Sequence, residues 1–400
     1  MHGWTVIIYS RMYVLNLLIL IFIAVLPGSL ADGGSVYGSG QIHTISQPDD
    51  NSSDAIRQQP TGIPVLCYHN ILPARLINEE SGQFTVSTEQ FDEQMKWLNR
   101  NGYAPVSLSQ FFHYLAGRPG SVQFSKKPVL ITFDDGYKSF YNYARKILKK
   151  YSWKAVVFVI TDPVDSGERR FLDYGQLREL VREGHEIQSH THSHNQLANM
   201  SLNRQFDELV NSKQILERHL GTKVEWVSYP YGVFNTSSAG QVLLAGYTGA
   251  FTVFPGENVP VGGKSPFRHF FLNRFLVTPD YSLNDFAGIM GWKSAVVSRV
   301  RPENGSRIKY GESASMVIEK GLDKRNIRLE NGIRFTGKNP AVPFLYNPET
   351  GVLEYRIHAR SPYLVVRLKY KISGIQHVAS VLYINFRQND DSGRIAGSGK

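Results

Sequence analysis

"PVLITFDDGYKSF", residues 128–140, decides how this chain is read. An apolar run ends in two adjacent carboxylates, Asp134 and Asp135, and a glycine. The run shows no polar alternation, so it predicts a strand covered on both faces, the mark of a parallel sheet. Two like charges at the end of a buried strand are costly unless something nearby neutralises one of them. The stretch 139–151 predicts a helix, with Phe140, Ala144 and Leu148 in register.

The same alternation runs outward in both directions. Upstream, 63–71 reads as an apolar strand ending in Tyr68 and His69. Helices are predicted over 87–103, with Thr88 as cap and Phe91, Met95 and Leu98 on one face, and over 107–117, stopped by Gly117 and Pro119. Downstream, strands at 153–160, 185–190 and 224–230 alternate with helices at 173–184, 201–221 and 238–247. The long helix at 201–221 starts at Ser201 and ends at Gly221, and 249–254 and 270–277 read as the last strands. Apolar strands alternating with helices mean a parallel α/β sheet or barrel. Without a Gly-rich dinucleotide fingerprint, the number of βα units favours a barrel, whose chemistry sits at the C-terminal strand ends. His69, Asp134, Asp135, His190, His194, Tyr231 and Arg274 all follow apolar strands.

The chain has 400 residues, 42% hydrophobic and 20% charged, which argues against disorder and allows a large core. Residues 1–31 read as a signal peptide or an uncleaved anchor: Arg11 precedes an apolar run at 14–26, and Ser29 and Ala31 stand at a plausible cleavage site. Residues 32–61, rich in Gly, Ser, Asn, Asp and Gln, read as a flexible linker. The single cysteine, Cys67, excludes an intrachain disulfide and reads as a small core residue. Export without disulfides fits a bacterial periplasm or cell surface. A net charge of +10 suits anionic envelope partners, and no nucleic-acid motif accompanies it.

After about residue 300 the pattern changes to period two, with Gly and Asn-Pro turns between strands. We expect a small antiparallel β-domain over 299–388 behind a main domain at 62–298, then a disordered tail at 389–400. The β-domain suits sugar binding, docking to envelope or exopolysaccharide-export partners, or spacing; oligomeric state is not legible.

Four histidines fall within 184–197 (His185, His190, His192 and His194), directly after a predicted strand. One histidine would read as structural; four together signal a metal. His190 and His192 share a face if the strand continues, His190 and His194 if the chain turns helically, and the polar "THSHNQ" favours the second. Either Asp134 or Asp135 can supply a third ligand, leaving positions open for water or substrate. In "WVSYPYGVFN", Pro230 fixes a turn, Gly232 permits close backbone approach, and the Tyr231 N–H can face a developing oxyanion.

"TFDDG", "SHTHSH" and "YPYG", in this order, resemble the polysaccharide deacetylases of the NodB type, carbohydrate esterase family 4, over roughly 62–290. The resemblance implies a distorted (β/α) barrel, the NodB homology fold, that hydrolyses acetyl groups from polysaccharides with a divalent metal, most often zinc, with cobalt, nickel or iron as alternatives. It implies Asp134 as catalytic base, Asp135, His190 and His194 as metal ligands, and Tyr231 at the oxyanion. His185 and His192 have no ligand role in it. Many members carry an arginine where this chain has Ser228, so Arg274 is expected to orient Asp134 instead. The early "YH" resembles the permuted poly-N-acetylglucosamine deacetylases of biofilm systems, which implies His69 as general acid. Tyr137, Tyr174, Trp226, Tyr229 and Pro230 are candidates for the wall of a sugar site. The expected reaction is N-deacetylation of an N-acetylglucosamine polymer such as a biofilm exopolysaccharide. Rival readings are deacetylation of peptidoglycan, chitin-like or O-acetylated polymers, a non-catalytic polysaccharide-binding protein, and a small-substrate amidase.

Overall fold

The computed structural model describes residues 62–117, 122–260, 269–295, 297–302, 304–308, 311–331, 340–357 and 363–385. The N-terminal apolar run, the 32–61 linker and the 389–400 tail lie outside the described residues. No helix among the described residues is long and apolar enough to cross a membrane.

The opening stretch forms β5 (Lys127–Phe133), and its last five residues are buried. It pairs in parallel with β1 (Val65–Tyr68) on one side and β6 (Val156–Val159) on the other. The sheet continues through β7 (Glu186–Ser189), β8 (Trp226–Ser228) and β9 (Gly249–Phe251), and β10 (Phe275–Leu276) flanks β1. The two edges of this seven-strand path meet. A parallel bridge joins Phe251 to Leu272, and Arg274 N–H donates to the Phe254 carbonyl at 2.8 Å. The sheet thus curls into a distorted barrel, with the short β4 (Tyr103–Pro105) added beside β5, and a separate parallel pair is formed by β2 (Asn70–Leu72) and β3 (Thr85–Ser87).

Local chemistry sets the helix ends. The helix Thr88–Arg100 is capped one residue earlier than expected: Ser87, not Thr88, accepts from Gln90 N–H in a capping box. Phe91, Met95 and Leu98 are its buried face. Ser201 occupies the N-cap position of Leu202–Leu220 without a side-chain capping bond, and Gly221 ends that helix at φ 66°. The helix after β5 opens as a π-turn, Phe140–Ala144, before regular turns at Arg145–Lys149.

The C-terminal part is two layered sheets. One runs β12 (Ser298–Arg301), β14 (Ser313–Val317), β17 (Val352–Arg356) and β16 (Phe344–Tyr346), all antiparallel. The other pairs β15 (Ile327–Asn331), β18 (Tyr363–Ile372) and β19 (Ile375–Asn385) antiparallel. Two short strands, β11 (Lys293–Ser294) and β13 (Ser306–Ile308), join β19 in parallel, so the region is mixed rather than purely antiparallel. Strand alternation explains the layering. Leu364, Val366, Leu368 and Tyr370 of β18 face the core shared with Met316 and Leu353. Val365 of β18 and Leu382 of β19 belong to the barrel's own core.

Candidate active site

Asp134 and Asp135 leave the buried end of β5, and both are nearly inaccessible. Arg274 reaches across the barrel and grips Asp134 with two parallel bonds: NH1 donates to Oδ1 at 2.7 Å and NH2 to Oδ2 at 2.6 Å. Arg274 is itself fully buried and held by further acceptors. Its Nε donates to the Thr252 carbonyl at 2.7 Å, NH1 to Thr132 Oγ1 at 3.2 Å and NH2 to Ser228 Oγ at 2.6 Å. Ser228 Oγ in turn donates to Asp134 Oδ2 at 3.0 Å. Burial alone would raise the Asp134 carboxyl, but the Arg274 charge overcomes it and holds the group well below the usual carboxylate range.

Asp135 turns the other way. Its φ of 72°, followed by Gly136 at 78°, points the carboxylate at the histidine loop. Asp135 Oδ1 lies 3.4 Å from His190 Nε2 and 3.5 Å from His194 Nε2, yet it is buried without a hydrogen-bond partner. The three ligand atoms fall within 4.8 Å of one another. His190 Nδ1 donates to the Ser228 carbonyl at 2.8 Å, which leaves the Nε2 lone pair facing Asp135. An orphaned carboxylate oxygen opposite two oriented imidazoles is the donor set of a divalent cation, so these residues fit the implied metal.

The histidine loop is neither a continued strand nor a helical turn. Thr191 and His194 have φ of 66° and 59°, and this pair of left-handed kinks brings His194 back beside His190 with ring centroids 4.7 Å apart. Glu208 ties the loop to its helix by accepting from the N–H groups of His192 and Ser193. His192 bonds Thr161, and His185 accepts from Ala155 N–H in the core, where burial pushes its imidazole down to about 4.

Tyr231 also adopts a left-handed conformation, φ 59°, in the Pro230–Gly232 turn. The residue is 52% exposed, and its ring centroid lies 4.7 Å from that of His194. Left-handed non-glycine residues at Asp135, Thr191, His194 and Tyr231 converge on one spot; such strain concentrates where the surrounding structure must hold a fixed geometry. His69 stacks on Phe84, its Nδ1 buried without a partner, and it lies within ligand distance of Asp134 and Cys67. Burial lowers its imidazole below the ordinary value. Tyr137 flanks Asp135, where burial and that carboxylate push its hydroxyl up to about 12.

Three aromatic candidates for a sugar wall sit elsewhere. Tyr229, just past the end of β8, is fully buried against Phe234. Trp226 packs among Phe111, Phe112 and Phe251. Tyr174 stacks on His219 and bonds Asp165. Pro230 is buried and serves the turn. Sequence reading missed the work of Ser228, whose side chain links Arg274 to Asp134 while its carbonyl orients His190. It also missed Glu208. A cleft of about 980 Å³ on the outer face of β14 and β17 holds none of these groups.

The family model described as polysaccharide deacetylase matches residues 121–250. Over 215 residues the chain is 31% identical to YxkH of Bacillus subtilis, described as a polysaccharide deacetylase, covering 54% of this chain and 73% of that protein. The chain belongs to the polysaccharide deacetylase family. This deacetylase is also 28% identical to the poly-β-1,6-N-acetyl-D-glucosamine N-deacetylase of Staphylococcus aureus, over 68% of this chain and 94% of the relative. Among solved structures it is similar to the Streptococcus pyogenes deacetylase PplD in complex with acetate. That match has a TM-score of 0.52 and 28% identity, over 58% of this chain and 99% of the other. Its likeness to a polysaccharide deacetylase from Bacillus cereus, BC0361, has a TM-score of 0.50 and 27% identity, over 58% of this chain and 69% of the other. As a family member, the deacetylase is a hydrolase of N-acetyl amide bonds on a distorted parallel barrel.

Proposed function

We propose that this deacetylase is an exported, metal-dependent enzyme that removes N-acetyl groups from poly-β-1,6-N-acetylglucosamine. The observation that carries the mechanism is the division of the two carboxylates: Asp134 locked to Arg274, and Asp135 Oδ1 facing His190 and His194 without a hydrogen-bond partner. The substrate reading is supported by the Staphylococcus aureus relative, matched over 94% of its length. Export is supported by the apolar run at 14–26 behind Arg11.

Asp135, His190 and His194 would hold the divalent cation, with zinc suited to two imidazoles and a carboxylate. When bound, such an ion supplies Lewis-acid polarisation of the acetyl carbonyl and makes water more acidic. The remaining work falls to the chain. Asp134, kept ionised by Arg274, takes the proton of the attacking water. Its fixed bidentate pairing holds the accepting oxygens in one orientation, so little reorganisation accompanies the transfer. The Tyr231 N–H, set by the left-handed turn, donates to the oxygen on which charge develops. His69, whose ring nitrogen lies within 4.8 Å of the Asp134 carboxylate, gives a proton to the departing amine once it is itself protonated.

Acetate release from purified protein on poly-β-1,6-N-acetylglucosamine, peptidoglycan and chitin oligomers tests the reading. Release from the first polymer well above the other two is expected. Equal or greater release from peptidoglycan or chitin oligomers contradicts the substrate assignment.

A further inference from the structure

A cleft of about 370 Å³, within the usual size of ligand clefts, about 300–1,000 Å³, has in its wall Tyr137, the neighbour of the Asp135 carboxylate. Its lining includes Asn70, Glu80, Tyr137, Lys138, Arg169 and Arg170. Two of these tie it to the reaction centre. Asn70 directly follows His69, and Tyr137 stands next but one to Asp135, stacked on Phe171 at 5.1 Å. The wall is built rather than incidental: Lys138 N–H donates to the Arg170 carbonyl at 2.8 Å, and Ile71 N–H donates to Ser139 Oγ at 3.2 Å.

The charges of the cleft are lopsided. Lys138, Arg169 and Arg170 face it with Glu80 as the lone acid of the lining. None of the three cations is ion-paired among the described residues. The substrate and product of N-deacetylation differ in one charge: an N-acetylglucosamine is neutral, and the glucosamine it becomes is a cation near neutral pH. A site with surplus positive charge admits the first and repels the second.

Resting on the deacetylase reading, we propose that this cleft is the subsite for a sugar neighbouring the one being deacetylated, and that it accepts an acetylated sugar and rejects a glucosamine. The enzyme therefore does not act readily beside a sugar it has already deacetylated on that side, and its product carries spaced free amines. Two surplus charges acting through water-rich surroundings amount to about a fivefold preference.

The test uses the described protein with β-1,6-linked N-acetylglucosamine pentamers, either fully acetylated or carrying one glucosamine at a known position, with products sequenced by mass spectrometry. Wild type should place new amines next to the existing one about fivefold less often on one side. The bias should collapse towards evenness in Arg169→Gln/Arg170→Gln, two exposed positions, and independently in wild type at an ionic strength of about 0.5 M. Random placement by wild type overturns the subsite, as does a bias that survives both the variant and salt. No acetate from either pentamer overturns the underlying substrate reading instead, so the two failures are distinguishable.

Discussion

Arg274 and Asp134 form a bidentate ion pair at 2.7 and 2.6 Å, both side chains almost wholly buried, 140 residues apart in the chain. The pair answers the cost of placing two carboxylates at a buried strand end. Asp134 is neutralised by the guanidinium of Arg274, just before β10, while Asp135 Oδ1 faces the Nε2 atoms of His190 and His194. Removing one partner of such a pair strands a buried charge, typically at about 3–5 kcal/mol.

Arg274→Gln is expected to raise the Asp134 carboxyl, because burial then acts with less opposition. The base becomes protonated at higher pH, so the acidic limb of the kcat/KM profile should move upward. A pH profile of the folded variant checks this; an acidic limb unchanged from wild type contradicts the assigned role of the pair.

Stability should respond to acid through the same group. A carboxyl lowered by folding contributes stability that is fully present above its unfolded value, about 3.9, and is lost as pH falls through its folded value. In chelator-treated protein, wild type should lose stability between about pH 5 and pH 2 more steeply than Asp134→Asn, by at most about 1.4 kcal/mol per pH unit. Denaturant melts at stepped pH give the two slopes.

The turn that presents Tyr231 depends on Gly232. Its φ is 68°, and a Cβ there would meet Val253 Cγ2 at 2.5 Å and Val253 N at 2.9 Å. Gly232→Ala should therefore displace the turn and lower kcat by up to about 100- to 1,000-fold, the worth of one oxyanion donor. Steady-state kinetics alongside a thermal melt separates a displaced turn from an unfolded chain.

Much of this was legible because strand and site share one stretch of sequence. The apolar run before Asp134 declared a parallel strand, and in such sheets the strand end is where functional groups collect. The histidine cluster was legible for the same reason, since it follows β7 directly. Four features were hidden. The loop from Thr191 to His194 uses left-handed backbone at residues that rarely adopt it, so neither strand nor helix periodicity describes it. Ser228 looked like a missing arginine, but Arg274 enters from another strand and Ser228 fills the space between it and Asp134. Tyr229 looked like a sugar platform beside Tyr231, yet the turn at Pro230 sends one ring into the core and leaves the other exposed. The parallel β11 and β13 were hidden too, as pairing of such short segments is set by the long β19 they dock on.

The central claim is that Asp134 works as the base while Asp135, His190 and His194 hold the metal. It is tested most directly by measuring acetate release and zinc content together in Asp134→Asn. The account predicts zinc bound at one equivalent, as in wild type, with acetate release reduced by roughly a thousandfold or more. Wild-type turnover in that variant, or loss of zinc with no change in Asp135, would contradict it.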